Sequence, residues 1–410
     1  LAVVMLVPAF LIVFSIILFP VILNFWISFD PVDLGDLRAP TPVVRERIVE
    51  RPVQAGDELV LTYQVRNSSR QEEITDVVIE GVLPPGLEAV SLPEAFTTTE
   101  DGLRATFDRW EGGFSTSYEL RFRATAEFVQ SAWLSSADIS FPGAEGRSAN
   151  KLFNFEFTGR NYRAVLSAPD FWPALWTTFV YTTVGAIGAI LLGLLSAQLV
   201  NSRFVGKPFL RGLLLFPYVA PVISVAFAWS FLLDPFSGSL NALLERFDVV
   251  QDGIGFLSER FVTTEFLGIE LRWPLALSTV IAFQAWRYFP FAFLFVLARL
   301  QAIPNTLYES AEVDGANPYQ KFFRITIPQV SGVIGTLFLL RFMWTFNKFD
   351  DVFLLTGGAA GTKTLPIQVY DNAFGRADIG AGAATAVLLF VFLAIFLTIY
   401  FRYTPEEESS

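Results

Sequence analysis

The 410-residue sequence contains no cysteine and no histidine. Without cysteine there are no disulfides and no thiol nucleophiles; without histidine there is no imidazole acid–base chemistry. With neither, Cys/His zinc sites are excluded as well. Basic charge is also in deficit: the formal net charge is −11, and between Asp30 and Asp170 there are 23 acidic and 14 basic residues, a net of −9. Such a balance argues against a nucleic-acid partner. What the chain has in abundance is apolar surface, with 53% hydrophobic and 15% aromatic residues and 43 phenylalanines. With a mean hydropathy of +0.48, this composition excludes an ordinary soluble domain and points to membrane spans.

Six apolar segments stand out: residues 1–29, 171–202, 212–233, 273–298, 330–349 and 379–401. Each is long enough to cross roughly 30 Å of hydrocarbon as a helix. Arg287 interrupts the fourth, and Arg341 and Lys348 fall in the fifth. A secretory signal is the competing reading of residues 1–29, but the apolar core of a signal is normally much shorter, and no small-residue cleavage site follows. The chain opens inside this apolar run, so a short preceding segment is expected. Gly185, Gly188, Gly193 and Ser196 in the second segment predict close helix packing. Trp172, Trp176 and Trp273 fit an interfacial belt.

Basic residues set the orientation. Arg203, Lys207 and Arg211 follow the second segment, Arg299, Lys321 and Arg324 follow the fourth, and Arg402 follows the sixth. Alternating spans put all three groups on one side, which the positive-inside rule makes the cytoplasm. Residues 30–165 then face outward, as do the loops 234–272 and 350–378. The acidic run Glu406-Glu407-Glu408 disagrees, but acids contribute little to the rule.

The polar insert 30–165 reads as β-structure. Apolar and polar residues alternate along 58–66, 76–83 and 117–124, with turn signals at Asn67-Ser68-Ser69, Pro84-Pro85-Gly86 and Glu111-Gly112-Gly113. Short strands at this spacing predict an antiparallel β-sandwich. The run from Ala55-Gly56-Asp57 to Pro84-Pro85-Gly86-Leu87 resembles the immunoglobulin-like repeat of bacterial surface proteins.

One acidic island lies between apolar segments: Glu309-Ser310-Ala311-Glu312-Val313-Asp314-Gly315-Ala316, followed by Ile325-Thr326-Ile327-Pro328. It suits a short helix with small side chains for close approach, Gly315 to end it, and Pro328 where a new helix could begin. An ordinary amphipathic connector would share some of these features. The spacing, together with Trp286-Arg287-Tyr288-Phe289-Pro290-Phe291 and Ala298-Arg299-Leu300 upstream and Phe346-Asn347-Lys348-Phe349 and Leu354-Leu355-Thr356-Gly357-Gly358 downstream, resembles the EAA loop and flanks of ATP-binding-cassette importer permeases. The carbohydrate-uptake, maltose-type branch is the nearest in character. Ser310 stands where that family usually has Ala.

The resemblance implies a mainly α polytopic membrane protein: a six-helix bundle of the type I ABC importer kind with an extracellular antiparallel β-sandwich insert. Residues 1–29 would be the first span, 30–165 the insert with linkers, 166–405 the permease core with a cytoplasmic coupling loop at 300–330, and 406–410 an acidic tail. Glu309, Ser310, Ala311, Asp314, Gly315 and Ala316 would seat in a cytoplasmic ATPase subunit, Glu309 reaching a basic partner. Implied partners are two such ATPases, a second permease forming a heterodimer, an extracellular substrate-binding protein, a carbohydrate and the bilayer, in a bacterial or archaeal cytoplasmic membrane. ATP and Mg would be held by the ATPases. Catalytic residues, metal ligands and cofactors are not expected in this chain. Gly357-Gly358-Ala359-Ala360-Gly361-Thr362-Lys363-Thr364 imitates a phosphate-binding loop, but Thr362 stands where a Walker-type loop needs glycine.

Arg or Lys at the centre of a span costs about 2.5–3.5 kcal/mol and usually faces a bundle interior or a wet pathway. Arg341, Trp344, Thr345 and Lys348 fall at i, i+3, i+4 and i+7, one stripe of a helix. The resemblance puts them, with Arg287, Tyr288 and Phe291, beside a sugar site. Aromatic faces would stack on sugar C–H surfaces while guanidinium and hydroxyl groups bond to ring hydroxyls. Structural ion pairs or contacts to backbone carbonyls would equally occupy the arginines, with Lys348 snorkelling outward. Three bases also permit an anionic sugar or polyol phosphate. An ion-coupled secondary transporter would show paired inverted repeats and usually an intramembrane carboxylate; the spans contain no central Asp or Glu, Asp350 and Asp351 lying at the outer end of the fifth. A membrane-anchored adhesin would explain the insert but not six spans.

Overall fold

The computed structural model describes residues 2–69, 72–99, 102–149, 157–202, 204–250, 252–266 and 269–403. Arg203 and the acidic tail 406–410 lie outside these. Contacts divide the chain into two units, one of residues 29–158 and 377–380 and the other of residues 1–28, 159–376 and 381–410.

Among the described residues, the first unit has eight strands: β1 (Pro42–Glu50), β2 (Glu58–Asn67), β3 (Ile74–Gly81), β4 (Leu87–Ser91), β5 (Phe96–Thr99), β6 (Gly102–Trp110), β7 (Ser115–Ala124) and β8 (Gly143–Arg147). They form two antiparallel four-stranded sheets, ordered β1-β2-β7-β4 and β5-β6-β3-β8. Alternation decides which face is inside. Leu59, Leu61, Tyr63 and Val65 of β2 and Leu120, Phe122 and Ala124 of β7 meet Val77 and Ile79 of β3 and Leu103, Ala105 and Trp110 of β6 in one core. The buried Asn67 ties two turns together, donating to the carbonyls of Glu72 at 2.8 Å and Glu111 at 3.1 Å. Residues 377–380 join this unit through backbone bonds, Leu34 N to Ala377 O at 2.7 Å and Gly380 N to Val32 O at 2.9 Å.

The second unit is helical. Among the described residues, five helices are long and apolar enough to cross a membrane: α1 (Leu6–Ser28), α2 (Phe171–Asn201), α5 (Leu275–Ala302), α7 (Pro318–Phe346) and α10 (Ile379–Tyr403). The remaining apolar segment, read from sequence as one span over 212–233, is instead two helices, α3 (Lys207–Val219) and α4 (Val222–Leu232), bent by 95° at Ala220-Pro221. Proline removes an N–H and pushes the preceding residue out of the helical region, and Ala220 is accordingly extended, at φ −63° and ψ 142°. Counting the bent pair as one, the spans number six.

Helices α2 and α5 pack most closely, and the glycines predicted for this role line their contact. A Cβ at Gly185 would collide with the Gln284 amide oxygen, and one at Gly193 would come within 2.7 Å of the Ala292 side chain and the Phe293 nitrogen. Three short helices complete the unit used below: α6 (Asn305–Val313), α8 (Asp350–Thr356) and α9 (Leu365–Tyr370).

Candidate coupling loop and substrate pathway

Helix α6 carries Glu309, Ser310 and Ala311, and none of its residues is buried. Its end follows from Gly315, which has φ +78° and open space where a Cβ would be. The glycine is therefore needed for its left-handed backbone rather than for close approach within this chain. Gly315 N bonds to Glu312 O at 3.0 Å and Ala316 N to Ala311 O at 2.8 Å, the paired bonds of a Schellman cap. Asn317 starts the next helix with a reciprocal capping box to Gln320, its bonds 2.8 and 2.9 Å long. The new helix thus begins at Pro318, ten residues before Pro328, where the sequence had suggested it. Pro328 is accommodated inside α7 because a π-helical turn, Phe322–Thr326, directly precedes it and opens the hydrogen-bond ladder where its missing N–H would break it.

Two bonds lock α6 to α7. Lys321 Nζ lies 2.6 Å from Glu312 Oε1, and the hydroxyls of Tyr308 and Thr326 lie 3.0 Å apart. Around this bracket, Leu307, Val313, Tyr319 and Phe323 are exposed, Val313 at 89%. Glu309, Ser310, Asp314 and Gly315 are exposed and Ala311 and Ala316 half-buried. Neither Glu312 nor Lys321 was expected to act as a pair; nine residues of separation across a turn leave no helical periodicity to find them by.

The second cluster is buried in mid-bundle. Tyr288, near the midpoint of α5, donates from its hydroxyl to Asp351 Oδ1 at 3.2 Å. The Arg341 guanidinium lies 4.2 Å above the Tyr288 ring and bonds Thr345 Oγ1 at 3.1 Å. Gln284 Nε2 reaches the same Thr345 oxygen at 3.1 Å. Lys348 Nζ sits 5.5 Å from the Tyr288 ring and 3.0 Å from Asp350 Oδ1. Against three bases stand two carboxylates, and among the described residues Arg341 forms no ion pair. Its charge is held by a ring face and a hydroxyl, an arrangement worth about 2 kcal/mol or more when desolvated.

The stripe expected on one helix holds in part. Helix α7 ends at Phe346, so Lys348 lies beyond it and reaches the cluster from the chain reversal, not from the helix face. Arg341 and Thr345 are buried while Trp344 is 48% exposed, its ring edge-on to Phe291 at 5.3 Å. Arg287 stacks less closely over Tyr288, at 5.6 Å, and gives its guanidinium to the carbonyls of Pro217 at 3.4 Å and Ala220 at 3.0 Å.

Asp351 corrects a second expectation. It is fully buried and bonded at mid-helix depth, because α8 turns back against α4 and α5 instead of leading outward. The adjacent Asp350-Asp351 pair was the available signal, but nothing in the sequence specifies the reversal at 347–349. Tyr218 was also missed: its ring is 6.3 Å from both Tyr288 and Phe291. The two prolines four apart, Pro217 and Pro221, were the clue to the bend that brings it there. Lys363 of the glycine-rich stretch is engaged within the fold, 2.7 Å from Asp371 and 3.4 Å from Asp170.

Residues 189–405 match the model of the family described as binding-protein-dependent transport system inner membrane component. The inner membrane ABC transporter permease protein YcjO of Escherichia coli is 36% identical over 247 residues, 58% of this chain and 77% of that protein. The trehalose/maltose transport system permease protein MalF of Thermococcus litoralis is 32% identical over 244 residues, 59% of this chain and 78% of that protein. A chain of a bacterial ABC transporter involved in the import of the acidic polysaccharide alginate superposes with a TM-score of 0.52 at 20% identity, covering 61% of this chain and 85% of that one. The helical unit has the type I ABC importer permease fold, and the chain belongs to the binding-protein-dependent transport system inner membrane components.

Proposed function

We propose that the chain is one permease subunit of an ATP-driven carbohydrate importer working by alternating access. The observation that carries this reading is the loop around α6: an exposed helix, glycine-capped, bonded to a span, with apolar side chains uncovered beside it. Such a surface fits a cleft in a cytoplasmic ATPase, and the similarity to the trehalose/maltose permease supports a sugar as cargo. Two ATPases would supply hydrolysis, a second permease would complete the pathway as a heterodimer, and a binding protein would deliver solute to the outer face, where residues 30–165 would lie. Arg341, Tyr288, Phe291, Trp344, Thr345 and Lys348 would line the solute's route.

Family membership weighs against the ion-coupled reading, although the buried Asp351 is a carboxylate of the kind that reading would use. Co-purification from membranes, followed by ATP-dependent uptake in proteoliposomes, tests the proposal. An ATPase should accompany the solubilised chain, and uptake should require both ATP and the binding protein. Uptake driven by a proton or sodium gradient without ATP would overturn it. Competition between neutral sugars and their uronate or phosphate forms then reads the charge class of the cargo.

A further inference from the structure

The bend between α3 and α4 leaves backbone groups without helical partners in the interior of the bundle. In a continuous helix the N–H of residue 221 would bond the carbonyl of Pro217, but Pro221 has none. Ala220 O, at the turn itself, also lies outside either helix's ladder; the bonds on each side are Ala220 N to Phe216 O at 3.1 Å and Val225 N to Pro221 O at 3.1 Å. Arg287 is 7% exposed and reaches both orphaned carbonyls, one nitrogen to each. The guanidinium fork suits two acceptors fixed apart in one plane. Its charge also lies at the C-terminal end of α3, where the helix dipole favours a cation. Tyr218 follows directly on the clamped Pro217, and its ring meets Tyr288 and Phe291.

We propose that Arg287 is a positioning residue: it clamps the third span in its broken form and thereby holds Tyr218 against the aromatic wall of the pathway. The clamp rests on the pathway reading only for its effect on uptake. Because the chain has no cysteine, two can be introduced and spin-labelled uniquely in the full-length protein, at Leu213 on α3 and Phe231 on α4, both exposed. Across the 95° bend these positions lie about 19 Å apart by backbone rise, against about 27 Å if the helices ran straight.

Arg287→Met should lengthen the measured distance by several ångströms, toward the ~8 Å full difference, and broaden it. Arg287→Lys, whose single ammonium cannot hold both carbonyls in a fork, should shift it part way; it carries the test if Arg287→Met does not fold. Arg287→Met/Pro221→Ala, which returns an N–H to the Pro217 carbonyl, should give the longest distance. Unchanged distances in the Met and Lys variants overturn the clamp, and unchanged distances with lost uptake would move Arg287 onto the solute instead. Shifted distances with unchanged uptake leave the clamp standing and remove Tyr218 from the pathway.

Discussion

The candidate coupling loop around α6 and the buried cluster are both polar, both on the same helical unit, and built in opposite ways. The loop is local: residues 305–326 supply its helix, cap, capping box and brackets, and most of it is exposed. The cluster is assembled from four separate elements, α5, α7, the 347–349 reversal and α8; Tyr288, Arg341, Thr345 and Asp351 are buried in it, while Lys348 and Asp350 are half-buried. Exposure makes individual bonds in the loop weak, so its rigidity comes from backbone conformation, with the ion pair secondary. Burial makes the charges of Arg341 and Asp351 consequential, because a guanidinium or carboxylate left alone there has no water to turn to. The loop should therefore be most sensitive at Gly315 and the cluster at its charges.

The largest effect is expected at Arg341. Arg341→Ala removes the cation over Tyr288 and beside Thr345; a charge-assisted hydrogen bond to solute is worth about 1.5–3 kcal/mol, so uptake should fall roughly 10- to 100-fold. The ATPase should still co-purify. Next comes Gly315. At φ +78° a side chain costs about 1–2 kcal/mol, and initial uptake rates should rank Gly, Asn, Ala, Val in falling order. Loss of ATPase association should follow the same order, in contrast with the cluster.

Asp351→Asn keeps an acceptor for Tyr288 while removing the carboxylate, and should reduce uptake about 3- to 10-fold, a cost of about 1 kcal/mol for one weakened buried hydrogen bond. Asp351→Leu should cost more than Asn by thermal stability and by uptake alike. The smallest effect belongs to Glu312→Gln. Its partner bond is 2.6 Å long, but Glu312 is 62% exposed, so thermal stability should change by no more than about 1 kcal/mol. An effect equal to that of Gly315→Ala would mean that the ion pair, rather than the cap, makes the loop rigid.

The same contrast explains what could be read from sequence. The exposed helix α6, its glycine and five of the six spans are local matters of periodicity, small residues and apolar length. So are the strands over 58–66, 76–83 and 117–124, where alternation and turn residues agree. The bend at Ala220-Pro221 was written in proline chemistry, yet an apolar run of span length concealed it. Lys348 was placed on a helix face because residue 348 continues the i, i+7 spacing, whereas the helix stops at Phe346. Asp351 and the Arg287 contacts depend on which elements fold back against α5, and those pairings have no local signature. The coupling roles of Glu309, Ser310, Ala311, Asp314, Gly315 and Ala316 rest on their exposure and on family resemblance.

The central claim is that energy enters at one place and solute passes at the other. Its most direct test compares ATPase recovery and uptake for two variants of the full-length protein, Glu309→Lys and Arg341→Ala, purified from the same membranes. The account predicts that Glu309→Lys loses the ATPase and, with it, uptake, while Arg341→Ala keeps the ATPase and loses uptake alone. Recovery of the ATPase with undiminished uptake in Glu309→Lys, or undiminished uptake in Arg341→Ala, would contradict it.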